Sequence, residues 1–476
     1  MGRRTERWRG RTALAGAAAL LSVAATAGQA VAGQGTAGQG AVARQGTAAD
    51  AFPPYRFADG AERIEGAPRA FDAVRLTAGT TYRSAVRDDG KVYYGLRLDG
   101  TSSAYVSATA VPKPGTKVMY SDGIKVSLLD PDGHKCFSGD AGAARFGPTE
   151  SPRPLTAWAS RRAGPGTYTC KGAGTYAVLV ERTSGDESSP DDWELELQYV
   201  SEPAVKGAAP TAAPEVWDSA SPEAVDGPVR TRTGGTGFST ARSLEQGVWA
   251  DGIRAGQTLF YRVPVDWGQQ LDASAEPGPA DAAGFLGNAL VMSLYNPARA
   301  LVDDADTGYG GARRPAALEP LPPVTYENRY SVDDQVGGMR FAGWYYLAVH
   351  LKAGMADEFG DGPFDLTLRV GVRGTAGKAP VYGGAPAPRD VFEVTAGDRA
   401  VASNGSAAAG GDGGAGGNTT MKAVAAGGIG AGCVLVLGLA VWTVVARRRA
   451  AAEAAGSGPP VANGTVVRTY GRSRAR

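Results

Sequence analysis

Two distant segments of the chain follow one pattern: Ile124-Lys-Val-Ser-Leu-Leu-Asp-Pro131 and Leu290-Val-Met-Ser-Leu-Tyr-Asn-Pro297. Each has the apolar residues typical of a β-strand, and each ends in the same Ser-Leu-x-(Asp/Asn)-Pro sequence. Asp or Asn before Pro favours a turn, because its short polar side chain can bond to the backbone just after it. The pattern therefore predicts one strand and turn that occur twice.

Two further pairs of segments repeat in the same order. Gly174-Thr-Tyr-Ala-Val-Leu-Val180 matches Gly343-Trp-Tyr-Tyr-Leu-Ala-Val349, and Trp193-Glu-Leu-Glu-Leu197 matches Phe364-Asp-Leu-Thr-Leu368. Chance could produce one such match, but three in order indicate a duplicated β domain.

Alternation of apolar and polar residues predicts the strands of both copies. In the segment 193–199, one face of the strand would carry Trp193, Leu195, Leu197 and Tyr199. The predicted strands are residues 92–98, 104–111, 124–129, 176–181, 193–199, 258–263, 290–295, 344–349 and 364–370.

The predicted fold is all-β, with two tandem β-sandwich domains, a signal peptide and one C-terminal transmembrane helix. The 69 glycines and 30 prolines favour many turns and flexible connections over an all-helical fold. The predicted segments are a signal peptide at 1–32, a disordered stretch at 33–51, the first sandwich at 52–200, a Pro/Ala-rich linker at 201–236, the second sandwich at 237–373, a Gly/Ala-rich stalk at 374–421, a transmembrane helix at 422–446 and a basic cytoplasmic tail at 447–476.

The N-terminus has the features of a secretory signal. Arg3 and Arg4 precede a short apolar run, and the small residues Ala30-Val31-Ala32 suit a cleavage site. The apolar run is short for a membrane span, although an uncleaved anchor remains the alternative.

Near the C-terminus, residues 423–446 carry no charge, and Arg447-Arg448-Arg449 follow directly. An uncharged segment of this length can cross a bilayer as a helix, and positive residues stay on the cytoplasmic side. This predicts a single-pass type I protein of the cell membrane with most of the chain outside. A sortase signal is the alternative, but no LPxTG-like motif precedes the segment.

Gly428 and Gly432 form a GxxxG pair inside the predicted membrane helix. Small residues at this spacing allow two helices to approach closely, so a homodimer through this helix is one interpretation. The other is that helices rich in Ala and Gly contain such pairs by chance.

The net charge of +1 combines basic ends with an acidic middle. Arginines dominate residues 1–11 and 447–476, so the exported part is negatively charged overall. Nucleic-acid binding requires a positive surface, and we therefore predict no nucleic-acid partner.

Three cysteines are present, and Cys433 lies in the predicted membrane segment. Cys136 and Cys170 are the pair left in the exported part, and in an oxidising compartment such a pair indicates a disulfide. Two unpaired thiols are the alternative.

At these strands the chain resembles the bacterial pre-peptidase C-terminal domain, a small β-sandwich attached to secreted peptidases. The motifs that carry the resemblance in the second copy are Leu259-Phe-Tyr261, Ser293-Leu-Tyr-Asn-Pro297 and Gly343–Val349. No peptidase domain accompanies them here, and the resemblance supplies no catalytic residue. The Ala/Gly/Arg bias and the layout resemble membrane-anchored actinobacterial proteins. The corresponding motifs of the first copy are Tyr93-Tyr94, Ser127-Leu-Leu-Asp-Pro131 and Gly174–Val180.

Catalytic motifs are absent from the sequence. His134 and His350 occupy non-equivalent places in the repeat and lack the neighbours of a catalytic histidine, so we interpret both as surface or turn residues. Asp303, Asp304 and Asp306 follow the second Asn-Pro turn and form a candidate calcium site, because calcium is bound by loop carboxylates. Solvated turn acids are the alternative.

The sequence thus predicts a non-enzymatic protein of the cell surface that acts in binding, adhesion or envelope assembly. Its partners would be the membrane through residues 423–446 and an envelope protein or polysaccharide. The alternatives are a hydrolase that uses acidic loop residues and a membrane signalling receptor that acts through its basic tail.

Overall fold

Alternating side chains divide the strand Trp193–Glu202 between two environments. Trp193, Leu195 and Leu197 point into an apolar core and are at most 2% exposed, as the sequence predicts. Glu196 and Glu202 point to the opposite side and are equally buried. A strand with two buried faces must have a layer on each side, and this requirement determines the architecture.

The computed structural model describes residues 52–136, 142–164, 169–207, 211–281 and 284–405. The predictions for 1–32, 33–51, 422–446 and 447–476 lie outside these residues. None of the helices within the described ranges is long and apolar enough to cross a bilayer.

The first half of the described chain forms two sheets around one apolar core. One sheet has the strand order β1-β2-β9-β4-β7, and the other has the order β3-β8-β5-β6. All pairs are antiparallel except β1 with β2. The strands are β1 Glu62–Arg63, β2 Thr81–Val86, β3 Lys91–Leu98, β4 Ser103–Val111, β5 Gly123–Leu129, β6 Ala143–Arg145, β7 Leu155–Arg161, β8 Gly174–Thr183 and β9 Trp193–Glu202.

The second half repeats this arrangement. Its sheets have the orders β10-β12-β19-β14-β17 and β11-β13-β18-β15-β16. Two short helices lie in its loops, α1 Asp334–Gly338 and α2 Met355–Phe359, and α3 Ala396–Asn404 follows its last strand. The strands are β10 Val229–Thr231, β11 Arg242–Ser243, β12 Gly247–Ile253, β13 Thr258–Val265, β14 Gln270–Pro277, β15 Leu286–Tyr295, β16 Leu301–Tyr309, β17 Ala316–Ala317, β18 Gly343–Leu351 and β19 Phe364–Arg373.

The three matched segment pairs of the sequence fall on equivalent strands: β5 with β15, β8 with β18, and β9 with β19. Even the turn after β5 and β15 is closed in the same way. Asp130 Oδ1 accepts bonds from the backbone N–H groups of Asp132 and His134, and Asn296 Oδ1 accepts from those of Ala298 and Ala300. The prediction of an all-β fold with tandem sandwiches and a repeat is confirmed.

A buried arginine organises one end of the first sandwich. Arg161 is 1% exposed, and its guanidinium donates to the carbonyl oxygens of Cys170 at 2.9 Å and of Asp99 at 2.7 Å. The same group also donates to the carbonyls of Ser102 and Gly172. Because each of these carbonyls belongs to a loop, Arg161 supplies donors that a strand ladder would otherwise provide.

The predicted stalk is wrong over residues 374–405. Ala387 pairs with Ser201, and the ring of Phe392 stacks on that of Phe341 with centroids 4.2 Å apart. Part of the predicted linker is also ordered, since Val205 pairs with Tyr382 and β10 joins a sheet. A composition rich in Pro and Gly predicts irregular backbone, but buried aromatic residues anchor that backbone to the sandwiches.

The predicted disulfide joins Cys136 and Cys170, which lie 34 residues apart. We expect the double variant Cys136→Ser/Cys170→Ser to lose about 3–4 kcal/mol of stability, because the bond restricts the unfolded chain. Urea unfolding of both proteins measures the difference. Reductant should lower the unfolding midpoint of the natural chain and leave that of the variant unchanged, and an equal effect on both would contradict the assignment.

Candidate functional site

The two sandwiches pack against each other through the outer faces of two sheets. On the first sandwich this face belongs to β9, β4 and β7, and on the second it belongs to β15, β16 and β18. Tyr105 of β4 shares an apolar cluster with Ala298, Phe341 and Phe392. We call the contact between these faces the inter-sandwich interface, and it contains most of the buried charge described below.

Glu202 is held by four donors in this interface. Arg329 donates from both terminal nitrogens at 2.8 Å, and the hydroxyls of Tyr105 and Tyr382 each donate at 2.9 Å. Glu202 is 1% exposed and Arg329 is 6% exposed, so the pair is screened from water. Burial and the Glu202 charge raise the pKa of both tyrosines, which therefore stay protonated as donors.

Glu196 forms a second buried pair on the same strand face. Its carboxylate accepts from Arg299 at 2.5 Å, from the Ala58 backbone N–H at 2.9 Å and from the Tyr55 hydroxyl at 3.2 Å. The N-terminal segment of the described chain is thus fastened to the same carboxylate as the second sandwich.

Arg299 adopts an unusual backbone conformation to reach Glu196. Its φ is +57°, and the equivalent turn position in the first sandwich is Gly133, with φ +85°. A left-handed conformation is free of strain for glycine but costs an arginine on the order of 1–2 kcal/mol. At this turn position the first copy has the residue that suits the backbone conformation, and the second copy has a residue that binds the first.

Ser151 and His350 also meet across the interface. The Ser151 hydroxyl lies 3.0 Å from His350 Nε2, and Thr258 Oγ1 lies 3.0 Å from His350 Nδ1. A serine beside a histidine suits nucleophilic catalysis, but Ser151 and His350 are only 1% and 2% exposed. The hydroxyl also accepts from the Ala353 N–H, and a hydroxyl takes the place of the orienting carboxylate. This geometry supports a structural role.

The interpretation of His350 as a surface residue is wrong, because docking of the first sandwich covers the end of β18. His134 is exposed in its turn, as interpreted from the sequence. Its Nδ1 lies 3.5 Å from Asp130 Oδ2.

The three aspartates of the candidate calcium site lie in strand β16 and not in a turn. Asp303 is buried, and accepts from Gln335 Nε2 at 2.6 Å and from the Glu319 N–H at 3.0 Å. Asp304 and Asp306 are exposed on the other face. Because adjacent strand residues point in opposite directions, the three carboxylates do not converge on one ion.

Within the described ranges, the group whose possible metal ligands lie within 4.8 Å of one another is Asp130, Asp132 and His134. Asp130 already accepts the backbone bonds that close its turn. Hydrogen bonds from the backbone of its own turn explain the position of the Asp130 carboxylate. The same hydrogen bonds, first of all the one from the His134 N–H, lower the pKa of Asp130, so no bound cation is needed to explain it.

Several buried polar atoms of the interface lack a hydrogen-bond partner among the described residues. Ser107 Oγ and Gln198 Oε1 lie on the face of the first sandwich. Arg299 Nε and Arg340 Nε come from the second. Buried polar groups are normally satisfied, so these four atoms show that polar pairing in the interface is incomplete; the other such atoms among the described residues are Arg232 Nε and Trp267 Nε1.

Sequence reasoning missed this interface. Glu194, Glu196, Gln198 and Glu202 alternate with apolar residues, as they would on a strand with one solvated face. The signal that could have revealed the interface is an aromatic residue among the acids. Tyr105 faces the same side of the sheet as these acids, and a sheet face that carries both a large aromatic ring and acids is unusual for solvent-exposed surface.

No family model and no curated protein matches the chain. Among solved structures it is similar to the pre-peptidase C-terminal domain of collagenase from Bacillus anthracis, with 13% identity, a TM-score of 0.16, and coverage of 27% of this chain and 93% of that one. It is also similar to the tandem CBM51 modules of a family 98 glycoside hydrolase from Streptococcus pneumoniae, with 11% identity, a TM-score of 0.16, and coverage of 62% and 83%. A third is the CBM22 tandem of Paenibacillus barcinonensis Xyn10C, with 10% identity, a TM-score of 0.18, and coverage of 61% and 86%. Similarity at this level carries no argument about function.

Removing the charge of Glu202 tests the importance of the inter-sandwich interface. We expect Glu202→Gln to destabilise the protein by about 3–5 kcal/mol, because Arg329 would remain buried without a counter-charge. Denaturant unfolding measures the loss. The double variant Glu202→Gln/Arg329→Met should recover part of it.

The matched control is the exposed pair Lys117 and Glu187, whose side chains are 57% and 71% exposed. Glu187→Gln should have little effect, because solvent screens such a pair. A Glu202→Gln protein as stable as the Glu187→Gln protein would contradict the expected contribution of the Glu202–Arg329 pair to the free energy of unfolding.

His350 makes stability depend on pH. Burial, aided by the nearby Arg153 guanidinium, lowers the pKa of His350 well below 6.5. The unfolded state then binds the proton more readily, so stability present above about pH 6.5 should fall as the pH drops below that value. Thermal unfolding between pH 7.5 and 5 measures this change.

The control for that experiment is His350→Gln, which keeps polar atoms near Ser151 and Thr258 but does not titrate. We expect its stability to vary less over the same range. An unchanged pH profile would assign the acid sensitivity to other groups.

Proposed function

We propose that this protein is a non-catalytic binding protein of the cell surface, exported by its N-terminal signal and held by the C-terminal helix at residues 422–446. Its two sandwiches would bind an envelope polysaccharide as one unit. The Cys136–Cys170 disulfide supports an oxidising compartment, where such bonds persist.

One observation carries this proposal: the groups best suited to acid–base chemistry are occupied in holding the sandwiches together. Glu196 and Glu202 are each paired with an arginine, and His350 is enclosed by Ser151 and Thr258. A catalytic acid or base must reach its substrate, which these buried side chains do not.

A rigid pair of domains also suits binding. Two modules held at a fixed distance lose less conformational freedom on binding an extended polymer than two modules on a flexible linker. The ordered residues 381–392 strengthen this connection, because Tyr382 bonds to Glu202 and Phe392 packs on Phe341.

Co-sedimentation with purified cell envelopes tests the proposal. The full chain in mild detergent should sediment with the polysaccharide fraction and release no new reducing ends over hours. Removal of the envelope's own proteins before mixing should leave the fraction of the chain that sediments with the envelope unchanged.

The variant Asp304→Asn serves as the control for hidden hydrolysis, because a hydrolase would use exposed acidic residues and Asp304 is an exposed carboxylate of the acidic group at 303–306. It should bind as the natural chain does. Reducing ends that accumulate with the natural chain and disappear with Asp304→Asn would favour the hydrolase instead. Binding that is lost after envelope proteins are removed would favour a protein partner.

A further inference from the structure

Arg340 differs from the other buried arginines of the inter-sandwich interface. Arg299 and Arg329 each have a glutamate partner, as described above. Arg340 is 6% exposed, yet among the described residues no carboxylate forms a salt bridge with it, and its Nε is buried without a hydrogen-bond partner. A buried cation left in this state is expensive, so its presence calls for an explanation.

Aromatic rings surround the Arg340 guanidinium. Its central carbon lies 5.8 Å from the ring centroid of Tyr105, 5.6 Å from that of Trp158 and 5.7 Å from that of Phe341. Rings attract a cation at this distance, but they accept few of its N–H bonds. The rings therefore hold the Arg340 guanidinium in place but leave some of its N–H groups without an acceptor.

The charge around Arg340 is also uncompensated. Arg162 and Arg329 are close enough to act on it, and Glu202 is the nearby carboxylate. Glu202 already accepts four hydrogen bonds from Arg329, Tyr105 and Tyr382. Burial, with help from the two other arginines, lowers the pKa of Arg340, which remains a cation at neutral pH.

Two further unpartnered groups lie beside these rings. Ser107 is directly opposite Trp158 on one neighbouring strand and Gln198 on the other, and it faces the same side as Tyr105. Ser107 Oγ and Gln198 Oε1 are buried without a partner in the part of the chain that the structure describes, as is Arg340 Nε. The Ser107 hydroxyl can donate a hydrogen bond, whereas the unpartnered atom of Gln198 is an acceptor, so Arg340 and Ser107 are the two groups here with donors available to a ligand.

We propose that this place is an anion-binding site, in which Arg340 binds a carboxylate or another small oxyanion with help from the Ser107 hydroxyl. An anion supplies what the site lacks, which is negative charge and acceptor oxygens for a planar guanidinium. Water would satisfy the hydrogen-bond donors of Arg340 but would bring no negative charge. The three positive charges of Arg162, Arg329 and Arg340 would still face the single negative charge of Glu202. Arg162 is exposed, donates to the backbone carbonyl of Arg329 across the interface, and lies close enough for its charge to act on Arg340. This site goes beyond the proposed envelope role.

Anion-dependent unfolding of the full chain in mild detergent tests the site. The probes are sodium phosphate, sodium sulfate and sodium glucuronate, each compared with sodium chloride at equal ionic strength. At ten times its Kd, a bound anion should raise the ratio of folded to unfolded protein about 11-fold. A larger effect of glucuronate would identify the carboxylate of an acidic sugar as the ligand, and a larger effect of phosphate or sulfate would identify an inorganic oxyanion.

Variants separate this site from general salt effects. Arg340→Gln should lose the anion-specific stabilisation. The matched control is Arg230→Gln, because Arg230 also stacks on a tryptophan, Trp249 at 3.8 Å, but already has Glu245 as its partner. Arg230→Gln should keep the full anion effect. Equal anion effects in the Arg340→Gln and natural proteins would overturn the proposal.

Two measurements keep the test decisive if Arg340→Gln does not fold. Arg162→Gln changes an exposed side chain and should raise the Kd of the anion several-fold. In crystals soaked with selenate, the anomalous difference peak should lie next to Arg340. A peak elsewhere, or an unchanged Kd in the Arg162→Gln protein, would show an adventitious ion only and would reject the site.

Discussion

The pair between Glu202 and Arg329 determines how the rest of the structure is arranged. A buried carboxylate requires donors on every side, and here they come from the first sandwich, from the second sandwich and from the segment after it. Tyr105, Arg329 and Tyr382 can meet Glu202 together only in one relative position of these parts. The pair is weak evidence for net stability, but it specifies a single arrangement of two domains that apolar contacts alone would leave less defined.

The strands and the repeat could be predicted from the sequence because strand formation leaves a local signal. In β9, every second residue from Trp193 to Tyr199 is apolar, and this period of two is a direct consequence of strand geometry. The Asp-Pro and Asn-Pro turns and the cysteine pair Cys136 and Cys170 are equally simple to read. Each of these features depends on residues that lie close together in the chain or are few enough to have one partner.

The interface could not be predicted in this way. Glu196 and Glu202 have the spacing of a solvated face, and the residues that neutralise them are Arg299 in a turn and Arg329 in a short 3₁₀ helix at Tyr326–Tyr330. Such positions follow no periodic pattern, so nothing in the sequence connects them with β9. For the same reason His350 has the sequence context of an ordinary strand end although the first sandwich covers it, and Asp303 has that of a solvated acid although Gln335 donates to it.

The contrast between Gly133 and Arg299 has a consequence for inheritance. Tandem duplications are prone to lose one copy by recombination between their similar halves. In this chain each half carries only one side of the two buried ion pairs, with Glu196 and Glu202 on the first and Arg299 and Arg329 on the second. A recombinant that kept a single copy would expose either two glutamates or two arginines on a face that is otherwise rich in apolar residues. For that reason the two halves are not interchangeable.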